Sequence, residues 1–482
     1  MSILNSHLSR RRFLQVALLG SASGILAACG APAAPATAPT AQPQATTAQA
    51  QPTSAPASNA LSGKKGVMWG LKYDPHVEAY KRLATLFNKT SGVTLEVAPQ
   101  DWPIEQKLIP ALAAGTVPDV VCIMGKQLLP LHLQKALMPL RDTVYASAGV
   151  DPVKDFIGDG VGAYTWKNEI WGVPVEANQV GSMVNIPVED AKAASVWDKY
   201  PPGNGQTFFD SYDSMWAMAK ALQKTENGKV TKWGLTSQGW EHGSILSAIR
   251  TQGVKWWDND AKKFNVDSEA GVQALKLIIE QPVKLGIETQ MDQGSVDTAL
   301  AGKVAISRGN PAPSLQAKSL GFTYELAAAP RMKPGEDPLF SGEGGWGFVA
   351  PKATKNPDVS IAFLKMLCTK DGQMEYAKIY DGLFATSFKA LVGNYDINKF
   401  PGPDSANAKA QKLCQVLLPL TAFYGGVEGF GYVAEVDGAL AQVGAEVRQG
   451  KLTAAEGATK IQGRLEAQYK QYLDDAKQYG GG

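Results

Sequence analysis

Three short apolar runs, Gly66-Val-Met-Trp-Gly-Leu71, Val93-Thr-Leu-Glu-Val97 and Asp119-Val-Val-Cys-Ile123, are separated by two stretches with a different period. From His76 to Lys89 the side chains of Val77, Tyr80, Leu83, Ala84 and Phe87 fall on one helical face, and Ile104 to Ala114 reads as a second helix. Gly115-Thr-Val-Pro118 ends that helix and opens the third run, as Gly and Pro do at such junctions. The order is βαβαβ. It predicts a parallel sheet covered by helices, with the uninterrupted apolar run of the third strand buried on both faces.

The alternation continues outward. Gly172 to Glu176 and Gly181 to Asn185 read as strand segments around a kink, and Lys303 to Ser307, Tyr324 to Ala328 and Trp346 to Ala350 as later strands. Asp213 to Lys224, Ser268 to Lys284 and Val359 to Leu367 read as helices, and beyond about residue 406 the chain is expected to be mainly helical. No repeat of fixed period is visible. Trp257-Asp-Asn-Asp-Ala-Lys-Lys263 has the acidic look of a calcium loop but lacks the Gly at position six and the Glu at twelve, so a hairpin turn is expected there.

The first residues have another character. Ser9-Arg10-Arg11-Arg12-Phe13-Leu14 precedes a short apolar and small-residue stretch that ends at Leu26-Ala27-Ala28-Cys29, a twin-arginine export signal over 1–28. Its apolar part is too short and too rich in Gly and Ser for a membrane span of about 20 residues. Residues 30 to 60 are almost entirely Ala, Pro, Thr, Gln and Ser, which cannot bury enough surface to offset their ordering entropy. Residues 29–62 are therefore expected to be a disordered tether, reaching between about 30 Å as a coil and about 95 Å as polyproline II.

The chain has 482 residues, 44% of them apolar, with 47 Lys and Arg against 45 Asp and Glu. Without the three signal arginines the balance is 44 to 45, so no nucleic-acid partner is expected. Apart from Cys29 there are Cys122, Cys368 and Cys414, from which no disulfide framework can be read; buried free thiols are the expectation for Cys122 and Cys368. Twin-arginine export of a body folded in a reducing compartment fits that reading.

Several blocks resemble one family in order. They are Val67-Met-Trp-Gly70, Leu86-Phe-Asn-Lys-Thr-Ser-Gly-Val93, Lys107 through Pro118-Asp119 to Val121, Lys135-Ala-Leu-Met-Pro-Leu140, Ile170-Trp-Gly-Val-Pro-Val-Glu176, Asp267 to Leu275, Ala299 to Ile306 and Gly344-Gly-Trp-Gly-Phe348. Over most of 66 to about 385 the chain is similar to the extracellular solute-binding proteins of carbohydrate ABC transporters, the family that includes maltose-binding protein. The resemblance implies an α/β, two-lobed periplasmic-binding-protein type II fold with a hinge and an inter-lobe cleft. By that analogy lobe one is 63–178 plus 340–378, and lobe two is 179–332 plus 385–482. Leu26 to Cys29 likewise resembles a lipobox, which implies a diacylglyceryl group on Cys29. Two departures from the family concern the pocket walls: Met183-Val-Asn-Ile-Pro187 stands where a Tyr-Asn-Lys is common, and Phe208-Phe209 where a Trp is usual.

The implied function is that of a lipid-anchored, monomeric receptor in the cell envelope, on the outer face of the cytoplasmic membrane or in the periplasm. It would deliver a saccharide to a membrane permease with its ATPase, using no cofactor or metal. A sugar presents C–H faces and a ring of hydroxyls, so its receptor needs flat aromatics beside fixed polar groups. Trp69 and Trp102 follow predicted strands, Trp240-Glu241-His242 is a polar and aromatic cluster, and Glu343 precedes Trp346 by three residues. By resemblance Glu176 matches a crossover carboxylate, Phe423-Tyr424 a C-terminal aromatic pair, and Arg308 and Asn310 stand where the family often places a pocket residue. Trp166, Trp171, Trp197, Trp216, Trp256 and Trp257 are expected to be packing residues.

No enzyme is read. His76, His132 and His242 are isolated, and no H-E-x-x-H, C-x-x-C, P-loop or G-x-S-x-G motif occurs. Two alternatives stand beside the sugar receptor: a binder of glycerol phosphate or another phosphorylated solute, using Arg308, Lys72 and Lys126, and a glycoside hydrolase whose two carboxylates meet only in space.

Overall fold

The computed structural model describes residues 60–156, 158–176, 183–199, 209–236, 241–258, 260–288, 302–309, 324–342, 344–378, 388, 389, 391, 421–423 and 433–478. Their main elements, in chain order, are β1 (Lys65–Leu71), α1 (Asp74–Ser91), β2 (Thr94–Gln100), α2 (Glu105–Ala114), β3 (Val120–Met124), β4 (Val173–Pro174), β5 (Met183–Pro187), α3 (Tyr212–Leu222), β6 (Lys224–Glu226) and β7 (Lys229–Thr236). There follow α4 (Glu241–Thr251), α5 (Glu269–Leu275), β8 (Val304–Gly309), β9 (Tyr324–Ala328), β10 (Phe340–Gly342), β11 (Trp346–Val349), α6 (Pro357–Leu367), α7 (Lys370–Ala377), β12 (Thr421–Phe423), α8 (Val433–Arg448) and α9 (Ala454–Gln478).

The βαβαβ unit is present, with β1 parallel to both β2 and β3. All five side chains of β3 are buried, as a strand covered on both faces requires. Helix α1 begins with Pro75 in its first turn and ends at Gly92, whose φ of 75° and N–H to the Asn88 carbonyl make a left-handed cap. Its buried face carries His76 and Ala79 in addition to Tyr80, Leu83 and Phe87, whereas Val77 is only half-buried. One device holds this unit to the later chain. The buried Asp119, just before β3, accepts from Val67 N at 2.8 Å, Thr354 Oγ1 at 2.5 Å and Asn356 Nδ2 at 3.2 Å, while its carbonyl accepts from Ser360 Oγ of α6 at 2.8 Å.

Beyond β3 the topology departs from local order. Strand β11 lies antiparallel beside β3, pairing Trp346 with Met124, and β4 adds outside it, giving the order β2-β1-β3-β11-β4. A second five-stranded sheet has the order β9-β5-β8-β7-β6, in which only β8 and β7 run parallel. Each sheet has its own core. Tyr80, Phe87, Ile123, Phe348 and Phe363 belong to the first, and Phe209, Trp216, Leu246, Ile279, Ile306 and Leu440 to the second. The residues Leu129 and Leu133, which follow β3, are buried against the second core.

The Ser268 to Lys284 stretch is helical without a break in sequence but opens into a π-turn over Lys276–Glu280. The expected hairpin forms: Trp257 and Asp258 pair antiparallel with Phe264 and Lys263, and Asp258 Oδ1 accepts from the backbone N–H groups of Asp260 and Ala261. Cys122 and Cys368 are free and buried, and burial pushes the Cys368 thiol up to about 12. Cys414 and Cys29 lie outside the described residues. Trp216, Trp256 and Trp257 are buried and Trp166, Trp171 and Trp197 pack partly exposed against the cores.

Candidate functional site

The carboxyl ends of β1, β2 and β3 open toward one edge of the first sheet, where loops and crossovers gather polar and aromatic groups. Trp102, just past β2, is 49% exposed, and its ring meets that of the buried Trp346 at 6.1 Å and 69°. Trp346 begins β11, and its carbonyl accepts from the N–H groups of Val175 and Glu176 at 3.0 and 3.2 Å. One short backbone ladder thus joins the start of β11 to the residue that carries the crossover carboxylate. The Glu176 side chain is buried, and its Oε2 accepts from the Tyr376 hydroxyl of α7 at 3.4 Å.

Behind the indole stands His76, on the first turn of α1, with its ring 4.8 Å from Trp346 and nearly perpendicular. Its Nδ1 lies 3.2 Å from the Tyr80 hydroxyl and 3.5 Å from that of Tyr376. Burial holds His76 far below the usual histidine range, at about 3, so the ring is neutral. Burial also raises Tyr80 and Tyr376, so both keep their protons as donors. His76 and Tyr376 were not legible as site residues, because they come from the start of α1 and the end of α7, 300 positions apart, and carry no motif of their own. Trp69 lies half-buried on β1 against the first core. Nearby, Gln127 donates to the Glu105 carboxylate, whose proton affinity burial raises.

The second lobe contributes differently. Glu241 opens α4 and is buried, with its Oε1 accepting from Arg448 Nη2 of α8 in a closely buried ion pair, so one of its oxygens is already engaged. His242 Nε2 lies 3.7 Å from Asp437 Oδ1, and Lys126 Nζ, just beyond β3, reaches the same carboxylate at 2.8 Å. Lys126 sits in the turn that follows β3 of the first sheet and Asp437 on a helix packed on the second core, so this ion pair links the surroundings of the two sheets. It is mostly buried, with 11% and 16% of the two side chains exposed.

Arg308, near the end of β8, is 1% exposed, and none of its guanidinium nitrogens has a hydrogen-bond partner among the described residues. Its carbon sits 5.6 Å from the Tyr212 ring centroid. Such a stack returns about 0.5–2 kcal/mol, less than the several kcal/mol that burying an unpaired ion costs. Burial raises the Tyr212 hydroxyl while Arg308 beside it acts in the opposite direction. The guanidinium lines a cavity of lobe two and is not part of the Trp102 and Trp346 corner. Trp240, Asn310, Glu343 and Tyr424 lie outside the described residues. Of the expected site, Trp102, Glu176 and Trp346 are thus brought together, while Glu241 and Arg308 stand in other surroundings. Among the described residues no group of His, Cys, Asp and Glu is arranged to hold a metal.

A family model described as bacterial extracellular solute-binding protein matches residues 82–397. The chain also resembles solved structures at low identity. An ABC-transporter solute-binding protein from Thermotoga lettingae, bound with alpha-D-tagatose, has a TM-score of 0.67 at 17% identity, over 84% of this chain and 99% of that one. The maltose/maltodextrin-binding domain from Bdellovibrio bacteriovorus, bound to maltotriose, gives 0.64 at 15% over 84% and 100%. A maltotriose-binding protein from Thermus thermophilus gives 0.61 at 20% over 83% and 100%. The two-lobed α/β type II fold expected from sequence is thereby shown. A search of curated proteins gives no significant match.

Proposed function

We propose, from the premise that the chain belongs to the bacterial extracellular solute-binding proteins, that it captures a sugar or oligosaccharide between its lobes and hands it to an ABC permease. The observation that carries the saccharide class is the exposed Trp102 ring standing against Trp346, whose backbone carbonyl holds the N–H of Glu176. A C–H face stacks on the indole and hydroxyls bond to the carboxylate, the two kinds of contact a sugar needs. The sugars bound in the structural neighbours support the same class. In this reading the export signal is removed, Cys29 receives a lipid, and residues 29–62 tether the lobes to the membrane. The proposed lobes are 63–178 plus 340–378, and 179–332 plus 385–482. The solute is released unaltered, because the protein does no chemistry on it.

A melting-temperature screen of residues 61–482 against mono-, di- and oligosaccharides, sugar alcohols and glycerol phosphates, with product analysis of every hit, tests this. A ligand at 100 times its dissociation constant adds about 2.7 kcal/mol of stability, a readily seen shift. Trp102→Ala and Glu176→Ala are expected to weaken the response roughly tenfold in affinity, about 1.4 kcal/mol. Stabilisation by phosphorylated compounds alone would move the site to the basic residues, and a cleaved sugar would make the protein a hydrolase.

A further inference from the structure

Arg308 points to a second site. Its guanidinium is permanently charged and fully buried, Nε, Nη1 and Nη2 make no hydrogen bond among the described residues, and the Tyr212 hydroxyl beside it is a neutral group that supplies no counter-charge. It lines a cavity of about 10 Å³, room for one water-sized particle, bounded by Tyr212 of α3, Ser244, Ser247 and Thr251 of α4, and the turn from Ala329 to Phe340. The hydroxyls of Ser247 and Thr251 are engaged elsewhere. Ser247 Oγ donates to the Gly243 carbonyl and accepts from Ser341 N, and Thr251 Oγ1 donates to the Ser247 carbonyl and accepts from Leu339 N. Much of the remaining wall is apolar, formed by Ala248, Pro330, Met332, Pro338 and Phe340.

We infer that lobe two contains a binding site for a halide-sized monovalent anion, held by the Arg308 guanidinium between Tyr212 and helix α4. Three properties favour a small, weakly hydrated anion over a bulky one: the cavity admits a single water-sized particle, its wall is largely apolar, and all the unanswered groups are donors. The site supplies the counter-charge that lets an arginine sit in the interior of β8. It joins β8, α3, α4 and the approach to β10, so its occupancy stabilises the second lobe without touching the aromatic corner of the first.

The test uses chloride and bromide as the anions themselves. Crystals of the parent protein soaked in sodium bromide are expected to show an anomalous peak within hydrogen-bonding reach of the Arg308 guanidinium. In solution, the melting temperature is expected to rise saturably with chloride when ionic strength is held constant with a bulky organic anion, and the rise is expected to vanish in Arg308→Met, which removes the buried charge at similar volume. A bromide-free map, a parallel chloride response in Arg308→Met, or a carboxylate of this chain or of a sugar acid found on the guanidinium would overturn the proposal. Melting shifts by neutral saccharides, measured separately in chloride-free buffer, report on the sugar site alone, so the two readings fail independently.

Discussion

His132 and His76 are both buried, each in aromatic surroundings, and burial lowers both from the ordinary 6.5 to about 3. His132 stacks flat on Trp166, with ring centroids 5.3 Å apart and planes 10° from parallel. Between pH 6.5 and 3 the unfolded chain binds protons at these positions that the folded chain does not. Their contribution is therefore complete above pH 6.5 and is lost as pH falls, at about 1.4 kcal/mol per pH unit for each ring. His132→Phe keeps the stack and removes one of the two titrations. Urea unfolding from pH 8 to 4 should show the variant gaining on the parent below pH 6.5, with a constant offset above it; parallel curves would mean that His132 is protonated in the folded state. The same burial explains why His76 backs Trp346 as a neutral ring, a role no histidine motif announces.

Among elements, β1, β3 and α6 are joined by one carboxylate. Asp119 stands in a Pro-Asp pair that the sequence offers as a family mark, and its place in the fold is structural: its carboxylate fixes the β1 backbone, the turn at Thr354 and, through Asn356, the start of α6. Asp119→Ala leaves Val67 N–H and the Asn356 amide without this acceptor in a half-buried setting, and should cost about 1–3 kcal/mol in urea unfolding. Asp119→Asn keeps an acceptor oxygen and should cost less; equal losses in the two would show that shape and not hydrogen bonding matters there. The βαβαβ unit was legible because each apolar run and helical face is encoded within some 20 residues. The insertion of β11 between β3 and β4 was not, since nothing local to Gly345-Trp-Gly-Phe348 says that it pairs with Met124, more than 200 positions earlier. The site divides in the same way. Trp102 and Trp346 could be picked out as aromatics at strand ends, whereas the engagement of Glu241 by Arg448 and the isolation of Arg308 depend on which helices pack over the second sheet.

At the scale of the molecule, the two lobes are linked by more than chain crossings. Lys126, which follows β3 of the first sheet, forms a mostly buried ion pair with Asp437 on a helix of the second core, and Leu129 and Leu133 are buried in that second core. Under the proposed capture by hinge closure, a contact made only when the lobes are together sets how much of the unliganded protein is already closed. Breaking a partly buried pair while Asp437 stays beside His242 costs more than the 0–1 kcal/mol of a surface pair, so a bias of about 1–2 kcal/mol is expected. Apparent affinity falls with the closed fraction, so Lys126→Met should weaken binding of the saccharide found by the screen by roughly 5- to 30-fold, although Lys126 lies outside the aromatic corner. Small-angle scattering should show a larger radius of gyration for unliganded Lys126→Met than for the parent, and the same radius for both at saturating ligand. Matching unliganded radii together with unchanged affinity would remove the ion pair from the opening equilibrium and leave the leucines to hold the lobes together.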